Sequence, residues 1–274
     1  MANTNLGGPR TMVTPPTGTA SPTATTVVLA VVGFAALCVV GWSMRDTLAK
    51  RSSLGLWLLL SAAIGGFAET NSDILTGVQF FAAEHGRIVY SAFGRTIAPW
   101  VFTAWILWGL ALGYTTIWAA DKGWPRARMW QLFGGCLMLD LVGESLLQHA
   151  GMYTYFGSQP LALFGVPIVW LFNWAATFMT AGLLARHLHA RTSGYRRLLL
   201  LPLVGGISVA YPAFTAWPST LGLGMEVSAL WANLLALASI LTILGTLDSV
   251  FRLCLTAPVS RSPHSASPRT STTP

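Results

Sequence analysis

Apolar residues in this chain come in long, nearly unbroken runs, and the polar residues are gathered into short connections between them. An α-helix needs about 20 consecutive apolar residues to cross the hydrocarbon core of a bilayer. Seven runs of that kind are read here, over residues 26–44, 54–76, 97–119, 129–149, 161–185, 198–217 and 225–248. Residues 1–24 are rich in Thr, Pro, Gly and Ala, and 256–274 in Ser, Pro and Thr. Both stretches are too polar to bury a core and read as disordered tails. The expected fold is therefore an all-α bundle of seven transmembrane helices spanning 25–255, in a bacterial plasma membrane.

Composition supports a membrane setting, because 53% of the residues are hydrophobic and only 9% are charged, too few to clothe a soluble domain of this length. Charge position then orients the helices. Arg45, Lys50 and Arg51 follow the first run, Lys122, Arg126 and Arg128 the third, Arg186, Arg191, Arg196 and Arg197 the fifth, and Arg252, Arg261 and Arg269 the seventh. Only Arg10, Arg87 and Arg95 fall on the other side. Cytoplasmic connections carry the excess of Lys and Arg, so the N-terminus is expected outside and the C-terminus in the cytoplasm, which requires an odd number of spans. The net charge of +7 follows from this topology and from contact with anionic lipid, and calls for no nucleic acid. Basic residues follow the first run rather than precede it, the reverse of a secretory signal, so it reads as a retained span. Cys38, Cys136 and Cys254 lie in or beside spans without metal-like spacing and read as small apolar residues.

Against this apolar background, four carboxylates stand out. Glu69 and Asp73 close the second run, and Asp140 and Glu144 lie within the fourth; each pair is spaced i, i+4 and so shares one helical face. An ionisable side chain at membrane depth is costly and normally faces a protein-lined cavity with a function. At about 1.5 Å per residue from the cytoplasmic side, Glu69 lies about 24 Å and Asp73 about 30 Å in. Asp140 lies near the midplane, Glu144 a turn further out, and Glu226 opens the last span from the outer side. The acids are expected to converge in the extracytoplasmic half.

The long connection from Gly77 to Ala98 lies in the same half, as does GMYTYFGSQP (151–160), whose Tyr153, Tyr155 and Gln159 suit a lid over a pocket. Arg95 has two uses open to it: pairing with Asp73 or Glu69, or clamping an anionic or carbonyl group of a ligand with its planar fork. Arg87 reads as an interfacial residue meeting headgroups. Of twelve tryptophans, Trp42, Trp57, Trp118, Trp124, Trp130 and Trp217 sit near span ends, as an aromatic belt does. Trp105, Trp108, Trp170, Trp174 and Trp231 are expected deeper, with Phe102, Phe172, Phe178, Tyr211 and Phe214, and with Asn173 beside Trp170 and Trp174. Core packing is the commoner use of such residues. Beside buried acids, their electron-rich faces also stabilise a cation.

Several membrane chemistries are excluded. Lys50 and Lys122 are the only lysines and both lie in connections, so no span offers a Schiff-base lysine. Of five histidines only His149 approaches a span, which leaves no bis-histidine haem site, and neither HExxH nor GxSxG occurs. ETNSD (69–73) is sparse, and on the wrong side, for a prenyltransferase that ionises diphosphates through Mg²⁺, a reading left open only because four carboxylates can hold one hard cation. What remains is acid chemistry on an apolar substrate, with no metal or organic cofactor required. A carboxyl group among apolar neighbours can hold its proton at neutral pH and deliver it to an alkene or epoxide. Aromatic walls then shelter the carbocation from water, and a second carboxylate takes the final proton.

GGFAETNSDILTGVQFF (65–81), YSAFGRTIAPW (90–100) and DLVGESLLQHAGMYTYFGSQPLALFGVPIVWLFNW (140–174) resemble the small seven-span integral membrane terpene cyclases of meroterpenoid and indole-terpenoid pathways. The pattern Glu144, Gly151, Tyr153, Tyr155, then Leu163-x-GVPI-x-Trp170, is also similar to membrane carotenoid hydratases. The likeness covers about residues 60–180, just over two fifths of the chain. It implies catalytic acids at Glu69 with Asp73 and at Glu144 with Asp140, and a hydrophobic isoprenoid or prenylated substrate. Thr70 stands where a proline is expected in the first motif, and a late-span acid is offered only by Glu226 or Asp248. Three functions are therefore weighed: a cyclase or hydratase, a proton-coupled carrier of a hydrophobic molecule, and a scaffold whose acids only bond helices together.

Overall fold

A computed structural model describes residues 14–225 and 227–256. Glu226 and the tail residues 1–13 and 257–274, with Arg10, Arg261 and Arg269, lie outside the described residues. The chain is mostly helical. Among the described residues four helices are long and apolar enough to cross a membrane: α1 (Pro22–Lys50), α4 (Pro99–Asp121), α6 (Ile168–Arg191) and α9 (Ala229–Thr256). A fifth is counted if the 3-10 turn Gly194–Leu200 and α7 (Leu203–Thr215), bent by 41° at their junction, form one crossing. α5 (Arg126–His149) has a similar length of 24 residues but carries Arg126, Arg128, Asp140 and Glu144.

The run expected over 54–76 is helical throughout but broken. α2 (Leu54–Gly65) passes through a 3-10 turn, Gly66–Ala68, into α3 (Glu69–Thr76). Adjacent glycines permit the break, since Gly65 packs against Trp105 and Val204 and Gly66 against Phe102 with no room for a side chain. Tyr90 Oη donates to the Gly66 carbonyl at 2.9 Å, occupying an oxygen near the change of pitch. α3 ends on Gly77 in the left-handed region, φ 64°, with its N–H on the Asp73 carbonyl.

Two expected spans shift. The run placed at 161–185 becomes α6 starting at Ile168, because 162–167 form the short hairpin of β5 (Ala162–Leu163) and β6 (Val166–Pro167). The last span begins at Ala229 rather than 225. Between α7 and α9, α8 (Trp217–Leu223) is too short to cross anything. At the N-terminal side α1 begins at Pro22, and Ala20 is already buried, its N–H on the Ala82 carbonyl at 3.0 Å.

The connections at the end of the bundle away from the ion pairs of Asp46, Asp121 and Asp248 make small antiparallel pairs. β1 (Val78–Phe80) pairs with β4 (Tyr153–Tyr155), setting Val78 opposite Tyr155 and Phe80 opposite Tyr153. β2 (Tyr90–Ala92) pairs with β3 (Arg95–Ile97) in a hairpin beside them. The connection expected to form a lid, 151–160, is thus joined by backbone hydrogen bonds to the connection Gly77–Ala98.

α6 is the most deeply packed of the long helices, lying against α4, α5, α7 and α9. Gly113 of α4 meets Gly182 of α6 backbone to backbone, the close approach that small residues allow between membrane helices. α1 is the opposite case, burying almost none of its apolar length: Phe34 and Leu37 are 70% and 72% exposed. Apolar side chains on α5 and α9, among them Leu139, Leu146, Leu241 and Leu253, are also exposed. Ion pairs collect at one end, where Lys50 meets Asp46 and Asp121, Arg186 meets Asp121, and Arg126 and Arg252 meet Asp248.

Candidate active site

All four acids of the two i, i+4 pairs line one cavity of about 450 Å³. α3 contributes Glu69 and Asp73, and α5 contributes Asp140, Gly143 and Glu144. The remaining walls are α4 with Trp100, Trp105 and Trp108, α6 with Trp174 and Phe178, and α1 with Val27, Val28, Val31 and Val32. The β1–β4 ribbon closes one end of the cavity with one face, Val78 and Phe80 on one strand and Tyr153 and Tyr155 on the other. That face follows from the two-residue period of a strand. No Lys, Arg or His is among the lining residues.

The two acid pairs are built alike. Trp105 Nε1 donates to Glu69 Oε2 at 2.6 Å, and Tyr155 Oη donates to Glu144 Oε2 at 2.6 Å. Tyr153 Oη adds a bond to the Glu144 backbone carbonyl at 3.1 Å. Each glutamate is therefore held by an aromatic donor. Each aspartate keeps a buried oxygen, Asp73 Oδ2 and Asp140 Oδ2, with no hydrogen-bond partner among the described residues. Leaving such an oxygen unpaired costs about 1–3 kcal/mol, so these two mark where a ligand hydrogen or a water would be accepted.

Trp105 packs edge to face on Trp174 and Phe178, as Phe80 does on Trp100, while Phe80 and Tyr153 meet at a tilt and Trp174 stacks on Phe178. Trp105 meets Phe178 at 5.7 Å and Trp174 at 6.4 Å between centroids, while Phe80 meets Trp100 and Tyr153, each at 5.4 Å. Of the aromatic residues expected to contact a ligand, Trp105, Trp108, Tyr153, Tyr155 and Trp174 line the cavity.

The other expected contacts lie elsewhere. Arg95 is buried but neither lines the cavity nor makes an ion pair with an acid; its Nη1 donates to the Val78 carbonyl at 2.7 Å and to Gln79 Oε1 at 2.8 Å, with the guanidinium over Phe156. It fastens β1, and acts on Asp73 only through space. Gln159 is a second fastener, donating to the carbonyls of Thr76 and Phe156 and accepting from Trp170 Nε1 at 3.0 Å. Tyr211 Oη donates to the Ile243 carbonyl, tying α7 to α9. Asn173 is fully buried on α6, neither amide atom has a partner among the described residues, and it does not line the cavity. Trp231 and Phe214, expected deep, are 61% and 70% exposed on the outside.

Sequence reasoning missed Phe80, Trp100 and the four α1 valines. Alternation in Val78-Gln79-Phe80 was a legible signal for the first. For the valines there was none, since α1 is apolar on every face. Among the described residues no three His, Cys, Asp or Glu side chains gather as a metal site, and the three cysteines are free. Comparison with protein-family models, with curated proteins and with solved structures found no match.

Proposed function

We propose that this chain is an integral membrane enzyme, a terpene cyclase that protonates an alkene or epoxide of a hydrophobic prenylated substrate inside the four-acid cavity. The observation that carries the proposal is the convergence of both carboxylate pairs on one aromatic-walled chamber that lacks a basic residue. Resemblance of residues 65–81, 90–100 and 140–174 to small membrane cyclases points the same way.

Seven crossings are proposed, adding the helical run 54–76 and α5 to the five candidates, with the N-terminus outside and the C-terminus cytoplasmic in a bacterial plasma membrane. The clustering of Arg and Lys ion pairs at one end supports that orientation.

In the proposed mechanism Asp73 delivers the proton, because it lines the cavity one turn from Glu69 and has a carboxyl oxygen without a partner among the described residues. The carboxyl O–H breaks as a C–H bond forms at an alkene terminus, leaving a carbocation. At an epoxide the proton goes to oxygen and the C–O bond opens to a hydroxyl. Trp105, Trp108, Trp174 and Phe178 face the cation as rings close. Glu144, positioned by Tyr155, with Asp140 one turn away, accepts the proton lost when the final alkene forms. For the substrate the net change is an isomerisation, and the cycle closes when the proton on Glu144 returns across the shared cavity to Asp73, with no external reductant, oxidant or metal consumed.

The test is conversion of a prenylated or epoxidised substrate by membranes carrying the protein. Asp73→Asn and Glu69→Gln are expected to lower turnover by about a thousandfold, within the range of general acid catalysis, while expression is retained. Undiminished turnover in both variants would remove these acids from the chemistry.

A further inference from the structure

The cavity is open along one side. α1 packs on α4 and α5 mainly on α6, and α1 and α5 scarcely touch each other, so the α4 residues of the cavity form a floor between two walls. Ala104, Leu107 and Trp108 remain only partly buried in the middle of α4 because they face that gap. The lips are apolar and exposed: Val31 on α1 is 63% and Leu146 on α5 is 67% accessible. Both belong to the same exposed apolar surface as Phe34, Leu139 and Val142.

The outer, water-facing approach is covered. Phe81 N–H bonds the Met152 carbonyl at 2.9 Å and Phe156 N–H bonds Gly77 at 2.8 Å, so the β1–β4 ribbon is stitched across that end. α1 is fastened near its two ends, by Ala20 on Ala82 and by Tyr114 Oη donating to Asp46, while between them a Cβ added at Gly33 would meet nothing within 4 Å.

We infer that the chamber is loaded sideways from the bilayer through the cleft between α1 and α5, and that its ligand is an uncharged, membrane-dissolved molecule whose hydrocarbon part lies in the cleft while its reactive end reaches the acids. This rests on reading the cavity as the reaction chamber. The cleft supplies no Lys, Arg or His to hold an anionic headgroup, and its lips stand against whatever surrounds the apolar belt, which in a membrane is acyl chain. Gly143 sets the width of the passage. It lies between Asp140 and Glu144 on the cavity wall, and a Cβ there would meet only Trp108 Cζ2, at 3.9 Å, so a larger side chain would grow into the opening.

The test uses the full chain with Cys38, Cys136 and Cys254 replaced by Ala, one new thiol labelled with bimane, and reconstitution into phosphatidylcholine vesicles. The label is placed in turn at Gly143→Cys, at Ala104→Cys on the floor, and at Leu139→Cys on the exposed side of α5 as a control. Mid-chain-brominated phosphatidylcholine is expected to quench the labels at 143 and 104 as fully as the label at 139, with iodide in the water quenching none of them. Adding Gly143→Leu to the Ala104→Cys protein is expected to abolish the lipid quenching at 104. Labels at 143 and 104 that are shielded from bromine while 139 is quenched, or that are quenched by iodide, would overturn lateral loading; unchanged quenching at 104 behind Leu would overturn the role of Gly143. Turnover is not read, so a failure of the acid chemistry and a failure of the cleft give different results.

Discussion

Paired carboxyl groups set the chemistry at the scale of single residues, but the donors around them set the roles. Glu69 and Glu144 each receive an aromatic N–H or O–H, whereas Asp73 and Asp140 each keep an unpaired oxygen. Removing one donor should therefore impair the glutamate without emptying the site. Tyr155→Phe is expected to cost about 1.5–3 kcal/mol of transition-state stabilisation, a ten- to hundredfold fall in turnover, with the unfolding temperature in detergent changed little. Arg95 makes the opposite prediction. As a fastener of β1, its loss in Arg95→Ala should destabilise the protein by about 2–4 kcal/mol and lower the unfolding temperature. A rise in KM at unchanged stability would instead make it a substrate clamp. Its residue type and position suggested an acid's partner or a ligand clamp, and the reach of its guanidinium to the Val78 carbonyl gives it a third use that only the tertiary structure reveals.

Helix contacts decide whether the chamber exists at all. α4 and α6 approach so closely at Gly113 and Gly182 that a Cβ on Gly182 would collide with the Gly113 carbonyl. Trp105 lies on one of these helices and Trp174 and Phe178 on the other, so separating them would open the aromatic wall. Gly182→Leu is expected to destabilise by about 3 kcal/mol or more and to lower turnover as well, read by thermal unfolding and by the conversion assay. Gly33→Leu, in the unpacked part of α1, should remain within about 0.5 kcal/mol of the parent. The break at Gly66–Ala68 is a second device of this kind, restarting the helix at Glu69 just as its polar face meets the cavity. A glycine pair inside an apolar run signals a weak point, but the run alone does not say whether the helix will change pitch there.

Across the whole molecule, an exposed apolar belt surrounds a bundle whose ion pairs gather at one end. Reporter fusions should accordingly find a C-terminal fusion active only in its cytoplasmic form, and a fusion in the Gly151–Pro160 connection active only in its exported form; the reverse pattern would invert the proposed topology. Long apolar runs and i, i+4 acids were sufficient to place most helices and to put two carboxylates on one face of each of two of them, because both features are local consequences of helix period and bilayer-length hydrophobicity. Whether those two faces meet is not local. Only tertiary packing brings α3 and α5 to one chamber, turns Tyr153 and Tyr155 inward by pairing β4 with β1, and sends Trp231 and Phe214 outward. In a chain this apolar, hydrophobicity does not separate a side chain that faces lipid from one that faces protein. That choice is made by shape, by which helices fit closely, and by where a buried polar atom finds its partner.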